Sequence, residues 1–416
     1  MIKLKIFLVL ITLIVFAAPT VFAQQADDKN DPRINPPQLS IGNEIYTPKR
    51  RVMLGEMRFH PFLSQRAIYD DNVYLTELNT KSDIIMSTIL GFRSDMFLLQ
   101  QPFLFGYRAR ANTYQNESDA NNVEHLVNLT CGMKTGNFSF SLKDNFSKLV
   151  NPIELMETKQ MNRDVNNASL TSLFETSKLE LELKVDMNKE DYKETQFDKL
   201  DRDDMIIKFT TRYKLSPKTG FVIRADRGTV AFSEEVLNDY TFIRGYGGIL
   251  GEITGKTSYL VLLGYVTQTP SKTPNTNAVE AYKGPIANIN FNYTLNEKNS
   301  VGISFLRSLE YNAISNYQVI NKFNFNYNHK LSPRFSTKTR FLFENATPGE
   351  VVDPSLTQTG EQPEQAWRIG IGFSAWYEIG DWIYLGFDVE NRRKLTYEEN
   401  ASYVNNKAYI HLTLLF

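Results

Sequence analysis

Glu180, Glu182, Lys184 and Asp186 stand two residues apart, interleaved with Leu179, Leu181, Leu183 and Val185. In an extended strand, residues at this spacing share a face. The charges therefore line one surface and the apolar groups the opposite one. The same rhythm sets Arg108 with Arg110, Lys208 with Arg212, Arg224 with Asp226, and Lys338 with Arg340; Asp388, Glu390 and Arg392 repeat it. Charges ranked along a wall act on whatever moves past it, or else pair across strands and solvate the surface. Cations outnumber carboxylates in this set, which favours anionic or neutral polar solutes.

Other chemistry finds little support. His60, His125, His329 and His411 have no serine nucleophile motif near them in sequence, so no enzyme is expected. The acidic stretch FDKLDRDDM, with Asp198, Asp201, Asp203 and Asp204, lacks the Asp-x-Asp-x-Asp-Gly order of a calcium loop and reads as solvated charge. Cys131 is the single cysteine, which excludes an intramolecular disulfide framework and a cysteine-based zinc site. GYGG at 245–248 has no Lys-Ser/Thr to complete a phosphate loop. No metal and no cofactor are expected. A balance of 46 basic and 47 acidic residues gives no basic footprint for nucleic acid.

The elements that position the charged rows are strands. NKFNFNYNHK sets Phe323, Phe325 and Tyr327 against Lys322, Asn324, Asn326 and Asn328, and ANINFNYTLN sets Ile289, Phe291 and Tyr293 against Asn288, Asn290 and Asn292. DWIYLGFDVENRRK repeats the pattern, and no amphipathic helical segment of useful length interrupts it. Tight connections at 93–96, 134–137, 175–178, 215–220, 253–258, 295–300, 331–336 and 378–382 alternate with longer ones. The longer ones fall near 77–81, 115–121, 148–165, 189–203, 231–238, 268–280, 310–316, 345–364 and 394–404. Short turns on one side and long loops on the other are the mark of a membrane-spanning antiparallel up-and-down β-barrel, here of about 18 strands (16–18).

The alternation predicts a barrel over 58–416, wide enough to hold water. Both termini fall on the short-turn side, expected to be periplasmic. The loops 148–165 and 345–364 are long enough to fold inward as constrictions. Phe103, Tyr107, Tyr213, Tyr259, Tyr265, Trp367, Trp376, Trp382 and Tyr403 lie near strand ends, where aromatic girdles form. The chain ends on AYIHLTLLF, with Ile410, Leu412, Leu414 and Phe416 on one face, expected toward lipid. A closed barrel requires this strand to pair with the first, near residues 66–75.

At the other end, Lys3 and Lys5 precede an apolar run from Ile6 to Ala18, with Val21 and Ala23 at small-residue cleavage positions. Residues 1–23 read as a cleavable signal peptide. Residues 24–57, with Pro32, Pro36, Pro37 and Pro48, read as a periplasmic lead-in.

The block Tyr69-Asp70-Asp71-Asn72-Val73-Tyr74-Leu75, followed by Lys81-Ser82-Asp83 and an alternating strand, resembles the outer-membrane β-barrel porin families linked to exopolysaccharide export and envelope assembly. The terminal Phe416 looks like the recognition signal that barrel-assembly machinery reads. The resemblance implies a bacterial outer-membrane location and, as partners, outer-membrane lipid and lipopolysaccharide, the assembly machinery and polysaccharide export components. The expected function is a polar porin-like channel for solute or polysaccharide. The alternative is a non-conducting structural or adhesion barrel with a plugged lumen.

Overall fold

A computed structural model describes residues 39–41, 44–46, 52–98, 101–153, 156–233, 238–272, 281–310, 317–349, 365–396 and 402–416. The signal-peptide segment, most of 24–57 and most of 345–364 lie outside these residues. Strands β1 (Leu39–Ile41) and β2 (Glu44–Tyr46) pair with each other. Strand β3 (Val52–Leu54), within the expected lead-in, turns at Gly55 to pair with the first long strand, β4 (Met57–Asp70). Gly55 has φ +65°, a backbone that glycine adopts without the clash other residues meet.

The strands that follow are β5 (Asp83–Leu98), β6 (Gln101–Tyr114), β7 (Asn122–Thr135), β8 (Phe138–Ile153), β9 (Met156–Glu175) and β10 (Leu179–Tyr192). Next come β11 (Arg202–Ser216), β12 (Thr219–Phe232), β13 (Asp239–Thr254), β14 (Thr257–Lys272), β15 (Tyr282–Asn296) and β16 (Asn299–Glu310). The last are β17 (Gln318–Ser332), β18 (Phe335–Pro348), β19 (Ala366–Gly380), β20 (Ile383–Thr396) and β21 (Tyr403–Leu415). Each pairs antiparallel with its sequence neighbours, and β21 closes on β4, giving an all-β barrel of 18 long strands. Closure leaves no free edge, so every long strand satisfies its backbone groups on both sides.

The alternation sorts side chains as expected, but the sense is the reverse of a soluble protein. Large apolar groups such as Leu183, Phe209, Ile223, Ile243, Leu263 and Ile371 stand exposed, while Ser64, Asp95, Asp226, Ser374, Asn405 and Thr413 are buried. An apolar outer belt around a polar interior suits a chain that crosses lipid with strands. No helix among the described residues is long and apolar enough to cross a membrane.

Three expectations are corrected. The residues 93–96 are not a turn: Arg93 to Met96 lie inside β5, paired with β4 and β6, and the connection falls between Leu98 and Gln101. The stretch 148–165 is not a loop to constrict a lumen but a strand hairpin, with β8 running to Ile153 and β9 starting at Met156. The closing partner of β21 is shifted, since Lys407 to Leu415 pair with Asp70 back to Phe62, leaving 71–75 in the first long loop.

Candidate functional site: the inner wall

By register, all fourteen charged residues expected inside share one face of the barrel sheet, opposite the face that carries Leu183, Phe209 and Ile371. Glu180 sits opposite Arg212, Lys184 opposite Lys208, and Lys208 opposite Asp226; Leu183, Ile207, Phe209 and Tyr213, which alternate with them, are exposed. On β10–β12 the charges neutralise one another locally. Arg212 reaches Glu180 at 3.1 Å and Glu182 at 3.5 Å; Lys184 and Lys208 flank Asp186 at 2.8 and 2.7 Å. Arg224 holds Asp226 through two hydrogen bonds, at 2.7 and 2.6 Å, and lies 5.2 Å over the Tyr246 ring.

Across β18–β21 the wall is more basic. Lys338 pairs with no carboxylate among the described residues, and Arg340 reaches Asp388 only at 3.9 Å. Arg392 pairs with Glu390 at 2.6 Å, and on β6 Arg110 pairs with Glu124 at 3.2 Å beside Arg108. Asp388 also accepts from the Ser374 hydroxyl and lies 3.6 Å from His411 Nδ1. This carboxylate separates the hydroxyl from the imidazole, the wrong order for a general base to take the serine proton. Among the described residues, no group of three histidine, cysteine, aspartate or glutamate side chains could hold a metal ion.

A neutral band separates these charged sectors. Asn290 donates to Asn288 at 2.6 Å, and Asn324 and Asn328 donate to Ser304 and Ser300, both at 3.2 Å. Beside it lies a cluster that sequence reasoning missed: Val230, Tyr240, Phe242, Val266, Ile286, Leu309 and Val319 are buried together. Its signal is β13, where Tyr240, Phe242 and Tyr246 face inward while Ile243 and Ile249 face out, so both faces of one strand are apolar or aromatic. Other inner ion pairs missed in sequence are Lys407–Asp70 at 2.7 Å and Lys322–Glu344 at 3.2 Å.

The long-loop rim is stitched by the block that carries the family resemblance. Asp71 accepts the backbone N–H and side-chain amide of Asn406, both at 2.6 Å; Asn72 donates to Val404 and Thr76 carbonyls at 3.0 and 2.7 Å. Asp83 accepts backbone N–H groups of Ile84, Gln115, Asn116 and Glu117. In the next loop Glu117 receives Lys81 at 2.9 Å and Tyr74 at 3.0 Å, and these two donors hold its carboxyl below the usual range. Burial and then the Glu117 carboxylate push the Tyr74 phenol up to about 12.

At the opposite rim, Ile410, Leu412 and Phe416 are exposed and Leu414 is half-buried beside them. Of the expected girdle, Tyr107 faces out against Phe92, but Tyr403 is buried and Trp376 shares the inner face with Ser374.

No protein-family model matches the chain, and no curated protein matches it in sequence. The resemblance carried by Tyr69–Leu75 therefore stays a resemblance. Solved structures match it in fold. Pseudomonas aeruginosa OccK2 (OpdF) in complex with glucuronate is 8% identical, covers 87% of this chain and 98% of its own, and superposes with a TM-score of 0.50. The Pseudomonas aeruginosa outer membrane protein OpdK is 10% identical over 86% of this chain and 99% of its own, TM-score 0.48. Acinetobacter baumannii OccAB3 is 13% identical over 86% and 99%, TM-score 0.46. The likeness is one of fold, and the OccK2 superposition carries it.

Proposed function

We propose that this chain is a non-enzymatic outer-membrane channel that passes small polar solutes, with a modest preference for anions. The observation that carries the reading is the inverted barrel: a closed ring of 18 strands with apolar groups outside and ion-paired charges inside. A ring of this size is too wide for side chains alone to fill. The paired sector β10–β12 offers a hydrated wall of little net field, and Lys338 and Arg340 supply the basic excess that draws anions. The complex of the similarly folded OccK2 with glucuronate supports a small solute as cargo. Membrane lipid, lipopolysaccharide and the assembly machinery are the partners this location implies. Liposome swelling tests the reading: vesicles carrying the refolded protein should swell in small sugars and organic anions, and vesicles that stay rigid in all of them count against it.

The asparagine band favours a second reading, passage of a saccharide chain. A carboxamide offers two donors and an acceptor without charge, which matches sugar hydroxyls. Maltodextrins that block swelling in proportion to their length, with relief on Asn324→Ala plus Asn328→Ala, would favour it over the small-solute channel.

A further inference from the structure

A cavity of about 360 Å³ opens in the inner wall against strands β11–β16 at their long-loop ends. Tyr240 is the second residue of β13, just after one long connection, and Glu310 ends β16 just before another. Its floor is the buried apolar cluster, with Val230, Tyr240, Phe242 and Leu262 in its lining. Four charged side chains also line it, and two already have partners. Arg224 is held by Asp226, and Asp204 accepts from Asn188 at 2.9 Å and faces Arg202 at 3.4 Å, both through Oδ2, while its Oδ1 is buried without a hydrogen-bond partner.

The other two have hydrogen bonds but no partner of opposite charge among the described residues. Arg244 lies with its guanidinium 4.1 Å from the Phe242 ring centroid and donates Nη2 to the Leu309 carbonyl at 3.1 Å. Its Nε is buried with no hydrogen-bond partner, and no carboxylate among the described residues pairs with it. Glu310 receives only the Ser308 hydroxyl, at 3.0 Å, and no cation among the described residues pairs with it. The two share one cavity, yet no ion pair joins them. A buried donor left unmade is costly, and a ligand that satisfies it gains accordingly.

We infer that this cavity binds a zwitterionic amino acid with an apolar side chain. The α-carboxylate meets Arg244, the ammonium meets Glu310, and the side chain lies on the apolar floor. A purely anionic ligand would set its charge against Glu310, and a purely cationic one against Arg244, so the paired opposite charges select the zwitterion. As an entry subsite for transported solute the inference rests on the channel reading, but binding itself does not require conduction.

Calorimetric titration of L-phenylalanine into the folded, detergent-solubilised protein tests it. Saturable binding should weaken about tenfold or more in Arg244→Gln and in Glu310→Gln, a loss of at least about 1.4 kcal/mol each. Lys218→Gln, in a remote turn, should bind as the unaltered protein does. 3-Phenylpropionate, which lacks the ammonium, should bind more weakly in Arg244→Gln and more tightly in Glu310→Gln, where the opposing charge is removed; phenethylamine should show the reverse. Absence of saturable binding to about 10 mM, or equal affinity in all variants, overturns the inference. Heat-modifiable gel mobility reports folding; should Arg244→Gln fail to fold, the exposed Glu310→Gln with the two analogues decides alone. Binding in a protein that does not conduct would sink the channel and leave the site; conduction without binding would do the reverse.

Discussion

Asn405, on the last strand, donates its side-chain amide to Asp70 Oδ1 on the first long strand at 2.5 Å, across a sequence separation of 335 residues. Both side chains are buried, and Lys407 pairs with the second Asp70 oxygen at 2.7 Å. The closing seam thus carries a polar lock in addition to its backbone ladder. Removing one member strands a buried partner, which costs about 1–3 kcal/mol. Asn405→Ala should lower barrel stability by that amount, read as the denaturant midpoint in lipid vesicles. An unchanged midpoint would mean that water replaces the amide.

The first loop is held by charge as well as by turns. The Glu117 pKa is depressed by Lys81 and Tyr74, so its anchoring is fully present above the ordinary carboxylate value of about 4.3 and is lost as pH falls through the lower folded value. Amide exchange in residues 71–82 should therefore stay slow from neutral pH down through that ordinary value and quicken only below it. Glu117→Gln should quicken it already at pH 7. Exchange that accelerates near pH 6 in the unaltered protein would point to another group.

Ion selectivity should follow unpaired charge rather than total charge. Arg212 is cancelled by Glu180 and Glu182, whereas Lys338 has no carboxylate partner among the described residues. Lys338→Glu should lower the anion-to-cation permeability ratio severalfold, measured as reversal potential in a salt gradient. Arg212→Gln should act differently, exposing two carboxylates and shifting the ratio through them. Equal ratios in all three proteins would show that the wall charges are fully screened.

Phe416 contributes little through packing. Its backbone N–H donates to the Pro61 carbonyl at 2.9 Å and its ring lies 6.0 Å from Trp382, while the side chain remains exposed. Deleting it removes only about 1–2 kcal/mol of burial. A much larger fall in membrane-assembled protein in cells, with refolding in vitro nearly unaffected, would mark Phe416 as an assembly signal. Parallel losses in both settings would make it a packing residue.

What was legible in the sequence is what one strict period can carry. Leu179–Asp186 and Lys322–Asn328 alternate strictly between apolar and polar residues, so the two faces of each strand could be told apart directly. The period fails where the environment stops being two-sided. β8 runs to Ile153 and β9 starts at Met156, but the sequence KLVNPIELMETKQMNRDV has no strict alternation of apolar and polar residues, so it reads as a loop. RSDM reads as a turn because Arg93 and Asp95, both inward, bind each other at 2.9 Å amid polar residues. The cavity beside Arg244 was hidden for the opposite reason: β13 is apolar on both faces, and composition alone does not say which face holds a site. The role of Asp70, Asp71 and Asn72 is long-range, fixed by Asn405 and Asn406, and no local pattern carries it.

The most direct test of the central claim is single-channel recording of the purified, refolded protein in a planar lipid bilayer. The account predicts stepwise conductance in potassium chloride, with a reversal potential that favours chloride and moves toward potassium in Lys338→Glu. A bilayer that stays sealed at every potential, with the barrel shown to be folded and inserted, would contradict it and leave a plugged structural or adhesion barrel in its place.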